Sequence, residues 1–225
     1  MEIIEFEATR CLDGYRIRPA RKRARPHPDA RWVEMPQWTV PGAPKAYIEA
    51  ISARFERYDP IRISGLFRIF ADVPETAEGM RDFSAKFGLP WDGDDSSGNV
   101  VAAAVGPLLA HRAALRAALD RLDAGDTTAL VDRFTRYWGR VRLALRPKPE
   151  GGVEPILVPF NLIQAMWLQL GLHAASEAKL LRCERCGTPF RAGTGTGRRD
   201  TAKYCSNACK VAAFRKRHDG RTIHA

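Results

Sequence analysis

Residues 181–218 read LRCERCGTPFRAGTGTGRRDTAKYCSNACKVAAFRKRH, and the cysteine spacing in this stretch decides how the C-terminal part folds. Two residues separate Cys183 from Cys186, three separate Cys205 from Cys209, and eighteen lie between the pairs. A short spacing lets two thiolates reach one ion across a tight backbone turn. A hairpin-sized gap lets the chain fold back with the second pair. The pattern predicts one structural zinc ion held tetrahedrally by four thiolates, with no open position for chemistry. Zinc would replace the apolar core that roughly forty residues cannot build alone. Two disulfides, disfavoured in a reducing compartment, and an iron–sulfur cluster are the alternatives. The fifth cysteine, Cys11, reads as a buried or idle thiol.

The residues around these cysteines complete the reading. Gly187 permits the tight turn after Cys186, and Phe190 is expected to pack behind the metal. Residues 193–197, GTGTG, form the expected hairpin tip; no GK[ST] follows, so this is not a P-loop. The tip is either a flexible turn or, with Arg198 and Arg199 beside it, a phosphate clamp. Ser206 is placed to cap a helix from about Asn207 to His218. At about 100° per residue, Val211, Phe214 and His218 share one side, which is expected to pack on the hairpin. Lys210, Arg215, Lys216 and Arg217 spread around the rest, with small Ala212 and Ala213 between them. Small residues flanked by cations let a helix approach a phosphate backbone. Lys203, before the second pair, joins the candidate contacts. The bland alternative is a solvated charged face.

The chain has 225 residues and a net charge of +10. Residues 182–225 carry +8, residues 1–31 carry +3, and residues 32–181 carry −1. The middle is an ordinary neutral domain and the C-terminal fifth a basic module. Concentrated positive charge predicts a polyanionic partner, most often nucleic acid. With 45% hydrophobic residues a core can be built. The longest nearly unbroken apolar run, residues 100–110, is too short to span a bilayer, and no signal peptide is visible at MEIIEFEATR. The expectation is a cytoplasmic protein without membrane contact.

The string CERCGTPF…YCSNACKVAAFRKRH resembles the treble-clef zinc fingers of bacteria, which carry a Cys-x2-Cys pair and then Cys-Ser-x2-Cys after a Tyr or Phe. The arrangement is similar to the CGNR family, in which a stress-response-type domain precedes a C-terminal finger. Cys183, Cys186, Cys205 and Cys209 match, with Ser206 and the basic helix after it. The chain departs at Lys210-Val211-Ala212, where that family has Gly-Asn-Arg. The resemblance covers about forty residues and implies a transcription regulator; it carries nothing over to the N-terminal part.

Upstream, residues 3–9 alternate as a half-buried strand, and residues 11–14 read as a turn. Residues 16–28, RIRPARKRARPHP, hold three prolines and predict an extended basic loop, or an arm able to enter a minor groove. Residues 31–40 could form a second strand. Pro44 is expected to open a helix to about Arg57, with Ile48, Ile51 and Phe55 on one face. Residues 61–70 fit strand or helix. Thr76 caps a helix to Lys86, ended by Gly88 and Pro90. WDGDDSSGN reads as a polar loop. A helix follows over about 107–124 with Leu108, Leu115, Leu119 and Leu122 inward, and Asp126 caps another to about Trp138. Residues 141–146 and 153–158 flank PKPEGG as a hairpin. A helix over 162–180 is expected to lead straight into the first cysteine pair.

The expectation is therefore an α+β chain: residues 1–180 as a mostly helical domain with a few strands and a hairpin, and residues 181–225 as a four-cysteine treble-clef finger. None of the histidines (His27, His111, His173, His218, His224) sits in a catalytic motif. No catalytic residue is assigned, and an enzyme is not expected. The partner expected is nucleic acid, foremost duplex DNA, with residues 1–180 sensing a ligand or forming a homo-oligomer. RNA binding, or a ligand-binding or enzymatic N-terminal domain with a purely structural finger, are the alternatives.

Overall fold

A computed structural model describes residues 4–19, 45–90, 102–128, 131 and 141–219, the last three by backbone alone. The architecture is α+β. Several small antiparallel sheets surround five α-helices among the described residues. No described helix is long and apolar enough to cross a membrane.

The first half is built on non-local strand pairs. Strand β1 (Ala8–Cys11) pairs antiparallel with β4 (Phe55–Tyr58), placing Arg10 opposite Glu56 in an ion pair. Strands β2 (Tyr15–Pro19), β3 (Ala46–Ala50) and β5 (Ala102–Ala104) form a second sheet with β3 central. Strand β1 begins later than the alternation of residues 3–9 suggested; upstream of it Ile4 makes one parallel bridge to Leu157.

The helix expected over residues 44–57 is absent; β3 and β4 occupy that stretch. Ile48, Ile51 and Phe55 fit a helical period, but Tyr47-Ile48-Glu49 also alternate, and tertiary pairing decides. Ile48 is fully buried between β2 and β5, whereas Ile51 is half exposed. Residues 16–19 of the supposed arm are extended, but as a paired strand. Glu49 receives hydrogen bonds from both Arg16 and Arg18 at 3.0 Å. The remainder of the arm, the strand over 31–40, the loop WDGDDSSGN and most of the helix to Trp138 lie outside the described residues.

Helices α1 (Leu66–Ala71), α2 (Ala77–Phe87) and α3 (Val105–Asp123) cover the sheets. Thr76 caps α2 by accepting the Gly79 N–H at 3.0 Å. Leu108, Leu115 and Leu119 of α3 are buried, against Phe67, Phe70, Met80 and Phe83 in one core. Strands β6 (Arg142–Pro147) and β7 (Val153–Val158) form the expected hairpin, turned by Gly151 and Gly152 with φ of 93° and 85°.

Helix α4 (Leu162–Ala174) runs through the core, burying Met166, Trp167 and Leu170. Its start is fixed reciprocally. Asn161 Oδ1 accepts the Gln164 N–H, and Gln164 Oε1 accepts the Phe160 N–H, each at 2.9 Å. It ends six residues before the predicted Leu180, with the Ser176 hydroxyl donating to His173 O at 2.8 Å. The strand β8 (Lys179–Arg182) intervenes and pairs with β9 (Pro189–Ala192). A helix running to Leu180 would have denied β9 its partner.

This last hairpin rests on α1. A Cβ built on Gly65, the residue before α1 with φ 73°, would lie 2.9 Å from Pro189 Cβ and 3.1 Å from Leu180 Cδ1. Asp72, at the other end of α1, pairs with both Arg116 of α3 and Arg182 of β8.

Candidate metal centre and basic helix

The first cysteine pair sits at the tip of the β8–β9 hairpin. Cys183 N–H donates to Thr188 O at 3.1 Å, and Gly187 N–H donates back to Cys183 O at 2.9 Å. Gly187 has φ 71° and only open space around a would-be Cβ, so its backbone angle, not crowding, demands glycine. The second segment is tied on where Glu184 N–H donates to Lys203 O at 2.9 Å. Ser206 Oγ then accepts the Cys209 N–H at 3.2 Å and starts α5 (Asn207–Asp219). Cys205 directly precedes the Ser206 cap and Cys209 lies in the first turn of α5, so the cap brings the two thiols together.

All four Sγ atoms lie within 4.8 Å of one another. Cys186–Cys205 and Cys205–Cys209 are 3.6 Å apart, and Cys186–Cys209 3.8 Å. A disulfide needs about 2.05 Å, and all four cysteines are free thiols. Four sulfurs about 2.3 Å from a shared tetrahedral centre would stand about 3.8 Å apart. The cluster is therefore placed to bind one metal ion.

Burial raises the Cys183 thiol pKa, but the backbone amides of Cys205, Cys186 and Arg185 outweigh it and bring it down to about 6. Thr188, by side chain and backbone, lowers Cys186. Burial and the neighbouring thiols push Cys205 up to about 12. Crowded thiols cannot all ionise without a cation among them.

Behind the thiols, Phe190 and Ala192 are buried with Cys183, and Leu181, Ala202 and Tyr204 pack against them. Phe190 thus lies where the sequence put it. Residues 193–198 form a tight turn after β9, closed by the single Gly193–Arg198 bridge, and not the tip of the main hairpin.

The predicted contact residues have distinct surroundings. Arg198 stacks its guanidinium over Phe190, 5.6 Å from the ring centroid. Arg199 is exposed. Lys203 pairs with Glu184 at 3.2 Å. Lys210, Arg215 and Lys216 are exposed on α5, and the side chain of Arg217 lies outside the described residues.

The prediction that Val211 and Phe214 pack on the hairpin is overturned: they are 47% and 59% exposed. Cys209 must face the other thiols, and this sets the rotation of α5. Val211 lies about 200° and Phe214 about 140° around the helix from it. Half-buried Ala213, one turn on from Cys209, takes the inward side instead.

Arg185, Asn207, Ala208, Val211, Ala212, Arg215 and Lys216 line an open groove of about 660 Å³ between the first cysteine pair and α5. None of these side chains is acidic. Sequence reasoning passed over Arg185, although a cation between the two cysteines of a turn is bound to stand at the module's tip. It could not find the groove, which depends on helix rotation.

No family model matches this chain, and no curated protein matches it. The resemblance to the CGNR family rests on the four cysteines, Ser206 and the basic helix that follows.

Proposed function

We propose that the metal is a single structural zinc ion and that the module it closes binds nucleic acid. Four thiolates and no open position suit zinc in a structural role. One observation carries the nucleic-acid reading. Lys210, Arg215 and Lys216 stand exposed on a helix anchored by the thiol cluster, within a segment carrying +8. Exposed cations on a rigid mount favour phosphate contact. The more specific form is a duplex-DNA-binding transcription regulator in the cytoplasm, with residues 1–180 sensing a ligand or self-associating, and no catalytic role. A single-stranded partner is the second form, and the exposure of Val211 and Phe214 favours it.

The test is anisotropy of a labelled random-sequence duplex titrated with zinc-loaded protein across a salt series. Neutralising four to six phosphates gives a slope of log K against log salt near about −4 to −5. Replacing Arg215 and Lys216 by alanine flattens that slope. Absence of binding at low salt overturns the reading.

A further inference from the structure

We propose that the outward face of the β6–β7 hairpin is where two copies of this chain meet. This rests on the self-association reading above and is independent of the nucleic-acid one. The register sets Leu143 opposite Leu157, Leu145 opposite Pro155 and Pro147 opposite Val153. Opposite residues share a face, so these six apolar side chains stand together. Leu143 is 68% exposed, Leu145 67% and Val153 60%, and Pro147 and Pro155 are exposed with them. The other face carries the polar groups. There Arg146 pairs with Glu154 and with Glu5, and Ile156 is buried. An antiparallel hairpin whose outer side meets water shows the reverse pattern, apolar inward and polar outward. The inversion marks the outer face as a surface to be covered.

The chemistry of the face selects a second copy as its cover. None of the six side chains carries a charge or a hydrogen-bonding group, so nothing on the face orients a polar partner or a phosphate. Homodimer contacts are more apolar than transient ones. Two such faces related by a twofold axis pack as a two-layer sandwich. At about 100 Å² for each of the five exposed side chains, each copy offers about 500 Å² and the pair about 1,000 Å², the lower end for a specific interface. The dimer is therefore weak and reversible, with a dissociation constant on the order of 10 µM. The face also lies within residues 32–181, whose net charge is −1, so no block of like charge is carried into the contact.

The experiment is sedimentation of full-length, zinc-loaded, nuclease-treated protein at concentrations bracketing that constant, in low and high salt. Mass should rise from monomer to dimer with concentration, and high salt should leave the dimer intact, because an apolar contact is not screened. Leu145→Glu puts a charge into the apolar layer of each copy and should weaken dimerisation at least about tenfold. Leu145→Met should retain it, and so should Leu12→Glu, at a 54% exposed leucine outside this face. Because Leu145 is exposed in the single chain, dilute Leu145→Glu protein should melt at the wild-type temperature. A lower one means that the chain covers the face itself, and overturns the proposal. A dimer that survives Leu145→Glu, or falls equally to Leu12→Glu, overturns the proposal while self-association stands. A monomer at every concentration overturns both.

Discussion

Gly65 and His173 show what single residues contribute to the join between the helical core and the metal-bearing hairpin. Gly65 has a left-handed backbone, and Pro189 and Leu180 close on its missing side chain. Gly65→Ala should cost about 1–2 kcal/mol for the backbone and a similar amount for the overlap. The measurement is the denaturant midpoint, and an unchanged midpoint would refute the close approach. His173 stacks near Phe67, with ring centroids 5.8 Å apart. Burial lowers its pKa, and Arg191 and Arg68 lower it further against the opposing effect of Asp123. The unfolded chain therefore takes up this proton at a higher pH than the folded one. The stabilisation is complete above the ordinary imidazole pKa of about 6.5 and is lost as pH falls through and below it. His173→Gln should flatten the stability profile below about pH 6.5, compared with wild type at equal zinc loading. Neither residue was legible in the sequence. A glycine inside an apolar run fits a strand, a helix or a cap, and a histidine near a helix end says nothing of the arginines that fold back upon it.

At the scale of elements, α5 depends on the ion for more than its anchorage. It has 13 residues, and its largest apolar side chains, Val211 and Phe214, are exposed. An isolated helix of about that length is marginal in water. Removing metal with a chelator, or substituting Cys205→Ser, should melt α5 and fray the β8–β9 hairpin, seen as lost far-ultraviolet helix signal, while α4 remains ordered in the core. Cobalt substitution should give the visible absorption of a tetrahedral thiolate site at one ion per chain. Helix content unchanged after complete chelation would remove the ion from its structural role. The cysteine positions, the Ser206 cap and Phe190 were all legible, because short-range spacing determines them. The outward face of α5 was not. Val211 and Phe214 look like a packing face by periodicity, and only the demand of Cys209 for the cluster turns them out.

Across the whole molecule, legibility follows the range of the contacts. Helix α2 carries its own cap, α3 its apolar period and the β6–β7 hairpin its glycine turn, and the sequence located all three. The first two sheets do not. Strand β3 draws its identity from β2 and β5, which flank it from distant parts of the chain. A similar long-range stitch closes the fold. Ile4 bridges Leu157, Glu5 N–H donates to Leu157 O at 3.1 Å, and Arg146, 141 residues away from Glu5, reaches its carboxylate at 3.3 Å. During synthesis, Ile4 and Glu5 leave the ribosome on the order of 10 s before β7 exists to receive them. This edge can close only after the hairpin is complete, and until then the backbone groups of Ile4 and Glu5 that it will pair are left to water or to chaperones.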